Sequence, residues 1–162
     1  MQNASKEVVF HTPYIICNNW MLEELANINE SVPSVTMMTN SLANNGNPFG
    51  AMDYQNNKKK VLDTGIQILE YDGGISYHGK CFVIDHNLSA IGSFNWDMRS
   101  TYIDTELMLI IDSETINRDL REAMLQHEKQ AVIAEDETNY IVPDGMIPQK
   151  ISKRRLCRVK IL

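Results

Sequence analysis

Six residues near the middle of the chain have types and intervals suited to chemistry on a phosphate ester. They follow the pattern H-x-K-x4-D-x6-G-S-x-N and are His78, Lys80, Asp85, Gly92, Ser93 and Asn95. An imidazole, with an ordinary pKa of about 6.5, can attack phosphorus or transfer a proton near neutral pH without a metal ion. A lysine ammonium and the donors of serine and asparagine can stabilise charge on phosphate oxygens. We therefore predict that His78, Lys80 and Asn95 are catalytic and that Lys80, Ser93 and Asn95 bind phosphate.

Two positions of the pattern are expected to be structural. Gly92 would let the backbone approach closely, and Asp85 would end a strand and fix the following turn rather than contact substrate. Cys81 and His86 lie off the face of His78 or in a turn, so they do not complete a cation cage with the isolated Asp85. We expect neither a metal ion nor another cofactor.

The sequence around the pattern must hold these side chains on adjacent strands. Strands are predicted at 79–84 and 90–94, with a short turn near His86-Asn87 between them. Because side chains alternate between the faces of a strand, His78 and Lys80 should share one face, and Ser93 and Asn95 one face of the next strand. Four polar side chains would then project into one pocket.

The rest of the chain alternates between strand and helix patterns. Further strands are predicted at 8–16, 35–39, 66–71 and 106–111, and helices at 20–28, 49–63 and 113–130. This order predicts an α/β fold with a mixed β-sheet flanked by helices. We place one domain at 1–135 and a partly irregular, basic C-terminal tail at 136–162.

The pattern resembles the HKD motif of the phospholipase D superfamily and is complete at every fixed position, with the similarity running from about Val8 to Val132. In that superfamily an acidic residue on the next strand orients the catalytic histidine, and Glu106 stands at its position. The segment is also similar to the bacterial cardiolipin-synthase-like branch, although that branch often has asparagine in place of Asp104. The residues that match this branch are Asp97, Arg99, Ser100, Thr105, Glu106 and the segment Thr39–Leu42, which in that branch lies beside the pocket. The resemblance implies phosphodiester cleavage or phosphatidyl transfer through a phosphohistidine intermediate.

Enzymes of this superfamily use two HKD motifs, with one histidine as nucleophile and the other as general acid. This chain has one motif. His127-Glu128-Lys129 begins in the same way, but Ala134 stands where aspartate is needed and the segment has a helical pattern. We therefore interpret the chain either as the C-terminal half of a two-motif enzyme or as a protomer that pairs with a second copy. The alternatives are a single-motif homodimeric phosphodiesterase or nuclease, and a non-catalytic scaffold with the same fold.

Charge is distributed unevenly along the chain, whose net charge is −6. The last thirteen residues carry six basic and no acidic side chains, which leaves 9 basic against 21 acidic residues in the body. An acidic body disfavours nucleic acid as a partner. The resemblance to the cardiolipin-synthase-like branch implies a phospholipid substrate similar to phosphatidylglycerol. The basic tail could contact an anionic membrane surface or be a solvated extension.

The sequence also bears on localisation. No apolar run approaches the ~18 residues of a membrane span, and the N-terminus has no signal pattern. Cys17, Cys81 and Cys157 are widely spaced and form no C-x-x-C pair, which favours reduced thiols. We expect an intracellular bacterial protein whose parent is membrane-associated.

Lys58–Lys60 are expected on a solvated helix face, with phosphate steering as the alternative.

Overall fold

Strands and helices alternate through most of residues 1–151, which are the residues that the computed structural model describes. The strands are β1 (Glu7–His11), β2 (Ile15–Ile16), β3 (Ser34–Asn40), β4 (Gln67–Tyr71), β5 (Cys81–Ile84), β6 (Leu88–Gly92), β7 (Trp96–Asp97), β8 (Met108–Asp112), β9 (Ala131–Ala134) and β10 (Tyr140–Ile141). The helices are α1 (Asn19–Ser31), α2 (Pro48–Leu62), α3 (Met98–Tyr102) and α4 (Glu114–Glu128).

Eight of these strands form one mixed sheet in the order β10-β9-β4-β3-β1-β5-β6-β8. β1, β3 and β4 run parallel to one another. The outer neighbours on both sides pair in antiparallel fashion. The strands β2 and β7 form a separate parallel pair. The sheet and its flanking helices confirm the predicted α/β fold.

Alternating side chains of the central strand β1 divide the core between the two faces of the sheet. Val8 and Phe10 pack in the cluster that contains Leu25 of α1 and Tyr54 of α2. Val9 packs instead in the cluster that contains Met124 of α4. Helices α1 and α2 therefore cover one face and α4 covers the other. Burial of each such apolar side chain contributes about 1.5–3 kcal/mol.

The starts of the three long helices follow the capping residues in the sequence. Asn18 accepts a hydrogen bond from the N–H of Met21 at 2.9 Å, and Asn47 accepts from the N–H groups that follow Pro48. Ser113 accepts from the N–H of Ile116 at 3.4 Å. Each side chain satisfies a donor that the first helical turn leaves unpaired.

Some predicted elements differ in extent from the observed ones. The strand predicted at 8–16 is divided into β1 and β2, since Pro13 has no N–H with which to continue a ladder. The helix predicted to reach residue 130 ends at Glu128, and the chain then forms β9 beside β4. The elements β7, α3, β9 and β10 were not predicted from the sequence.

The prediction of a solvated face at Lys58–Lys60 is wrong for Lys58. Its side chain is fully buried, and its Nζ lies 2.8 Å from Oε1 of Glu70. The same ammonium donates to the hydroxyl of Tyr140 at 2.8 Å, while Tyr54 donates to Glu70 at 2.8 Å. A buried charge requires such partners because its desolvation is costly. Lys59 and Lys60 are exposed as expected.

The C-terminal segment packs against the domain as far as it is described. β10 pairs with β9, and the backbone N–H of Gln149 donates to the carboxylate of Asp72 at 2.6 Å. Apart from Lys150, the basic residues of the predicted tail lie outside the described residues. Within residues 1–151, no helix combines the length and the apolar character that crossing a membrane requires.

Candidate active site

The residues of the H-x-K-x4-D-x6-G-S-x-N pattern meet at one end of the sheet through the register of its strands. β1 ends at His11, which pairs with Cys81 at the start of β5. Cys81 in turn pairs with Ile91 near the end of β6, and Gly92 pairs with Met108 at the start of β8. The segments just outside these strand ends therefore converge, and they carry the histidine, lysine, serine, asparagine and Glu106.

The expected placement of the polar side chains on strand faces is wrong. His78 and Lys80 precede β5, and Ser93 and Asn95 follow β6. The ladder between β5 and β6 ends with the hydrogen bond from the N–H of Gly92 to the carbonyl of Lys80, at 3.0 Å. Because the four side chains lie outside the two strands, loop contacts rather than strand alternation determine their directions.

His78 and Lys80 contact each other directly. Nζ of Lys80 lies 2.8 Å from Nδ1 of His78 and donates to the His78 carbonyl at 3.0 Å. Because an ammonium can only donate, Nδ1 acts as the acceptor and a neutral His78 ring carries its proton on Nε2. The ring of Tyr14 stands edge-on to the imidazole, with centroids 6.1 Å apart.

The electrostatic setting keeps His78 neutral at physiological pH. Partial burial lowers the pKa of His78 below its ordinary value, and the nearby charge of Lys80 lowers it further. Partial burial also lowers the pKa of Lys80, while Glu106 and Asp97 oppose that shift. An uncharged imidazole beside an ammonium is suited to phosphate chemistry, since the lysine supplies the positive charge.

Ser93 and Glu106 form a hydrogen-bonded pair next to Lys80. The Ser93 hydroxyl donates to the Glu106 carboxylate and accepts from the N–H of Leu107 at 3.0 Å. Hydrogen bonds from Ser100 and from Ser93 lower the pKa of Glu106. Among the described residues, no hydrogen bond joins Glu106 to His78. The orienting role that the resemblance implies for Glu106 stays a prediction.

Asn95 is held by the short helix α3. Its backbone N–H and its side-chain Nδ2 lie 3.2 and 3.3 Å from the hydroxyl of Ser100. Asp97 caps this helix by accepting from the N–H of Ser100 at 2.7 Å. The side-chain oxygen of Asn95 is buried and has no partner within residues 1–151. Ser100, which matched the cardiolipin-synthase-like branch without an assigned role, thus supports Asn95.

The two residues expected to be structural have distinct contacts. A Cβ atom on Gly92 would lie 2.0 Å from the carbonyl oxygen of Leu107, so only glycine allows β8 to approach here. The Asp85 carboxylate accepts from the backbone N–H groups of Ser5, Lys6 and Glu7 at 2.8, 2.8 and 3.1 Å. Asp85 therefore fixes the entry to β1, where the sequence had suggested the following turn.

The segment His127-Glu128-Lys129, which begins like the motif, lies at the C-terminal end of α4. His127 is in the last turn of α4, as the helical pattern predicted. The carboxylate of Glu128 accepts a hydrogen bond from Arg121 at 2.8 Å and lies 2.9 Å from Nε2 of His11. Within residues 1–151, no group of three or more His, Cys, Asp or Glu side chains could hold a metal ion. The phosphate-binding role predicted for Lys80, Ser93 and Asn95 stays a prediction.

Comparison with known families places the chain beside cardiolipin synthases. The family model described as "Cardiolipin synthase, PLD-like domain" matches residues 1–128. Cardiolipin synthase C of Escherichia coli is 28% identical over an alignment of 148 residues that covers 81% of this chain and 31% of the relative. Cardiolipin synthase 1 of Staphylococcus epidermidis is 29% identical over 131 residues, which are 81% of this chain and 26% of the relative. The chain thus spans less than a third of these curated relatives.

Solved structures show the same fold at low sequence identity. Phosphatidylserine synthase of Haemophilus influenzae matches with a TM-score of 0.71 and 17% identity, over 84% of this chain and 35% of its own. The phospholipase D family member Nuc of Salmonella typhimurium matches with a TM-score of 0.63 and 14% identity, over 82% of this chain and 84% of its own.

Proposed function

Because the chain belongs to the family of PLD-like domains of cardiolipin synthase, we propose that it supplies one of two histidine motifs that cleave or transfer a phosphodiester. The observation that carries this proposal is the contact between His78 and Lys80 at the strand ends that also present Ser93, Asn95 and Glu106. This arrangement combines a neutral imidazole with a cation and several hydrogen-bonding groups, as transfer of a phosphoryl centre requires.

The proposed reaction has two displacements. The imidazole of one motif attacks phosphorus, so a P–N bond forms while the P–O bond to the first alcohol breaks. The imidazole of the other motif donates the proton that this alkoxide needs. A second alcohol or water then gives its proton to that base and displaces the phosphohistidine, with Lys80, Ser93 and Asn95 binding the phosphate oxygens throughout.

The surface around the motif supports completion of the site by a second half. His78 is exposed, and β8 is the edge strand of the sheet. Large apolar side chains beside and along this edge are exposed, with Leu107 at 80% and Leu109 at 62%. An apolar sheet edge is normally covered by a partner. The partner would be the other HKD half of the parent chain or a second copy of this one.

We propose a phospholipid of the phosphatidylglycerol type as substrate, in a membrane-associated parent enzyme. The cardiolipin synthase relatives support this choice, as does the excess of acidic residues in the body, which disfavours binding of nucleic acid. The second candidate is a homodimeric phosphodiesterase with one motif per protomer. It is favoured by the match to Nuc, which extends over 84% of that chain.

One experiment tests the proposal and separates these candidates. The molar mass of the purified chain is measured by light scattering, and activity is assayed on phosphatidylglycerol vesicles and on single-stranded DNA, with and without chelator. We expect little activity from the monomer, activity when two motifs pair, a preference for the lipid, and no effect of chelator. Robust turnover by a demonstrated monomer would contradict the two-motif requirement, and a preference for DNA would favour the second candidate.

A further inference from the structure

The loop that carries His78 is fixed through the peptide groups of the preceding residue, Tyr77. No strand pairing reaches this part of the loop in the described residues. Instead, the N–H of Tyr77 donates to Oδ1 of Asn40 at 2.8 Å, and Nδ2 of Asn40 donates to the carbonyl of Tyr77 at 2.8 Å. The side-chain amide of Asn40 thus pairs with both backbone groups of Tyr77, as a neighbouring strand would.

The amide of Asn40 is itself fixed from several sides. Asn40 is the last residue of β3 and is 1% exposed. Its Nδ2 also donates to the carbonyl of Pro13 at 3.2 Å, and its Oδ1 also accepts from Nδ2 of Asn44 at 3.1 Å. These contacts fix the orientation of the Asn40 amide: its NH2 group faces the carbonyls of Tyr77 and Pro13, and its oxygen faces the N–H of Tyr77 and the NH2 group of Asn44.

A second tether holds the side chain of Tyr77. Its hydroxyl lies 3.1 Å from Nδ1 of His11, and Nε2 of His11 lies 2.9 Å from the Glu128 carboxylate. His11 is 2% exposed. The backbone of Tyr77 is therefore anchored to β3 and its side chain to β1 and α4. These contacts restrict the position of the Cα atom of the next residue, His78.

We propose that Asn40 is a positioning residue that sets the location of the His78 imidazole through the peptide groups of Tyr77. This inference rests on the proposed function for its catalytic meaning, but the placement of the ring can be measured without turnover. Neither Asn40 nor Tyr77 belongs to the H-x-K-x4-D-x6-G-S-x-N pattern. Both would position His78 although they are not part of the motif.

The test replaces Asn40 with aspartate, which has the same shape and, in its ionised form, can only accept hydrogen bonds. Asn40→Asp keeps the acceptor for the N–H of Tyr77 and removes the donors to the carbonyls of Tyr77 and Pro13. The matched control is Asn117→Asp. Asn117 is also buried, at 4% exposure, and its Nδ2 also donates to a backbone carbonyl, that of Leu88, at 2.7 Å. Leu88 begins β6, at the opposite end of the sheet.

The readouts are the NMR signals and titration of the His78 ring, together with kcat and KM of the active assembly. Asn40→Asp should shift the ring signals, move the titration midpoint towards the ordinary histidine value, and reduce kcat by about 10–100-fold with little change in KM. Asn117→Asp should leave all of these unchanged even if it lowers the thermal midpoint.

Unchanged ring signals in folded Asn40→Asp would overturn the proposal, as would shifted signals with parental kcat. If Asn40→Asp does not fold, the same measurement on Asn44→Asp decides, since it removes the donor that supports Oδ1 of Asn40. Unchanged ring signals of His78 in folded Asn44→Asp would also overturn the proposal. If the parent has no turnover on any phosphodiester, the proposed function fails while the NMR comparison still decides the positioning.

Discussion

The side-chain nitrogen of Lys80 lies 2.8 Å from Nδ1 of His78, so the cation and the imidazole of the motif contact each other directly. A phosphate group entering the site would offer this ammonium a stronger, charge-assisted partner. Transfer of the lysine from the ring to the phosphate would then free Nδ1 for another hydrogen bond. If phosphate binds here as proposed, this contact would couple its binding to the hydrogen bonding of His78.

Replacing Lys80 with alanine should raise the pKa of His78. The lysine charge is one of the two causes that lower this pKa, and partial burial, the larger cause, remains in the variant. NMR titration of the ring in the parent and in Lys80→Ala measures the change. Lys59→Ala, which removes an exposed lysine paired with Asp63, is the control and should have no effect. An unchanged or lower His78 midpoint in Lys80→Ala would show that the two side chains do not interact in solution.

Replacing His78 with alanine should abolish catalysis in the assembly that contains both motifs. Loss of an imidazole that attacks phosphorus or donates the proton should reduce kcat by about three orders of magnitude or more. Circular dichroism should show that the fold is retained, because His78 is exposed. His86→Ala, which changes an exposed turn residue, serves as the control. Near-parental turnover in His78→Ala would remove this residue from the catalytic role.

Replacing Gly92 with alanine should destabilise the fold and disturb the site. The new methyl group would lie 2.0 Å from the Leu107 carbonyl oxygen, so β8 must move. We expect a loss of about 1–3 kcal/mol in the free energy of unfolding, measured by denaturant titration. Gly46→Ala, whose methyl group would meet only Ser76 at 3.4 Å, should change stability by about 0.5 kcal/mol or less. Equal stability of the two variants would contradict the close approach.

Asp85 should make stability depend on pH in the acidic range. Backbone hydrogen bonds, first that from Ser5, lower the pKa of Asp85 to about 2. A carboxyl with a depressed pKa stabilises the fold above its unfolded pKa of about 3.9, and this contribution is lost as pH falls through the folded value. The parent should therefore exceed Asp85→Asn in stability at pH 5, and the gap should narrow towards pH 2.

Chemical denaturation of both proteins across this range measures the gap. Asp119→Asn, which changes an exposed aspartate beside Arg118, controls for the general effect of removing a surface charge. A gap between the parent and Asp85→Asn that stays constant from pH 5 to pH 2 would show that the carboxylate does not hold the residues before β1.

The sequence was sufficient for the parts of the fold that depend on local pattern. Capping residues such as Asn18 and Ser113 marked helix starts, and short apolar runs, β-branched in the first strand, marked the central strands. The spacing from His78 to Asn95 identified the residues that meet at the end of the sheet. Their position in loops was missed because an extended loop and a strand have the same sequence pattern.

Features that depend on distant partners could not be predicted. Burial of Lys58 follows from Glu70 and Tyr140, which a run of three lysines does not reveal. The match of the Thr39–Leu42 segment to the cardiolipin-synthase-like branch was a signal for Asn40, but not for its pairing with the Tyr77 peptide. That pairing joins residues 37 positions apart.

The anchoring of this loop through peptide groups has a consequence for how such proteins diversify. Asn40 binds the backbone of Tyr77, and Asn44 donates to the carbonyl of Ile75 at 2.9 Å, so neither contact depends on which side chain the loop residue carries. The side chain of Ile75 is 82% exposed. Mutations at this position can alter the exposed surface of the loop while the backbone that leads to His78 stays in place. If His78 acts as proposed, the surface of this loop can therefore vary in evolution without displacing the residue that carries out the chemistry.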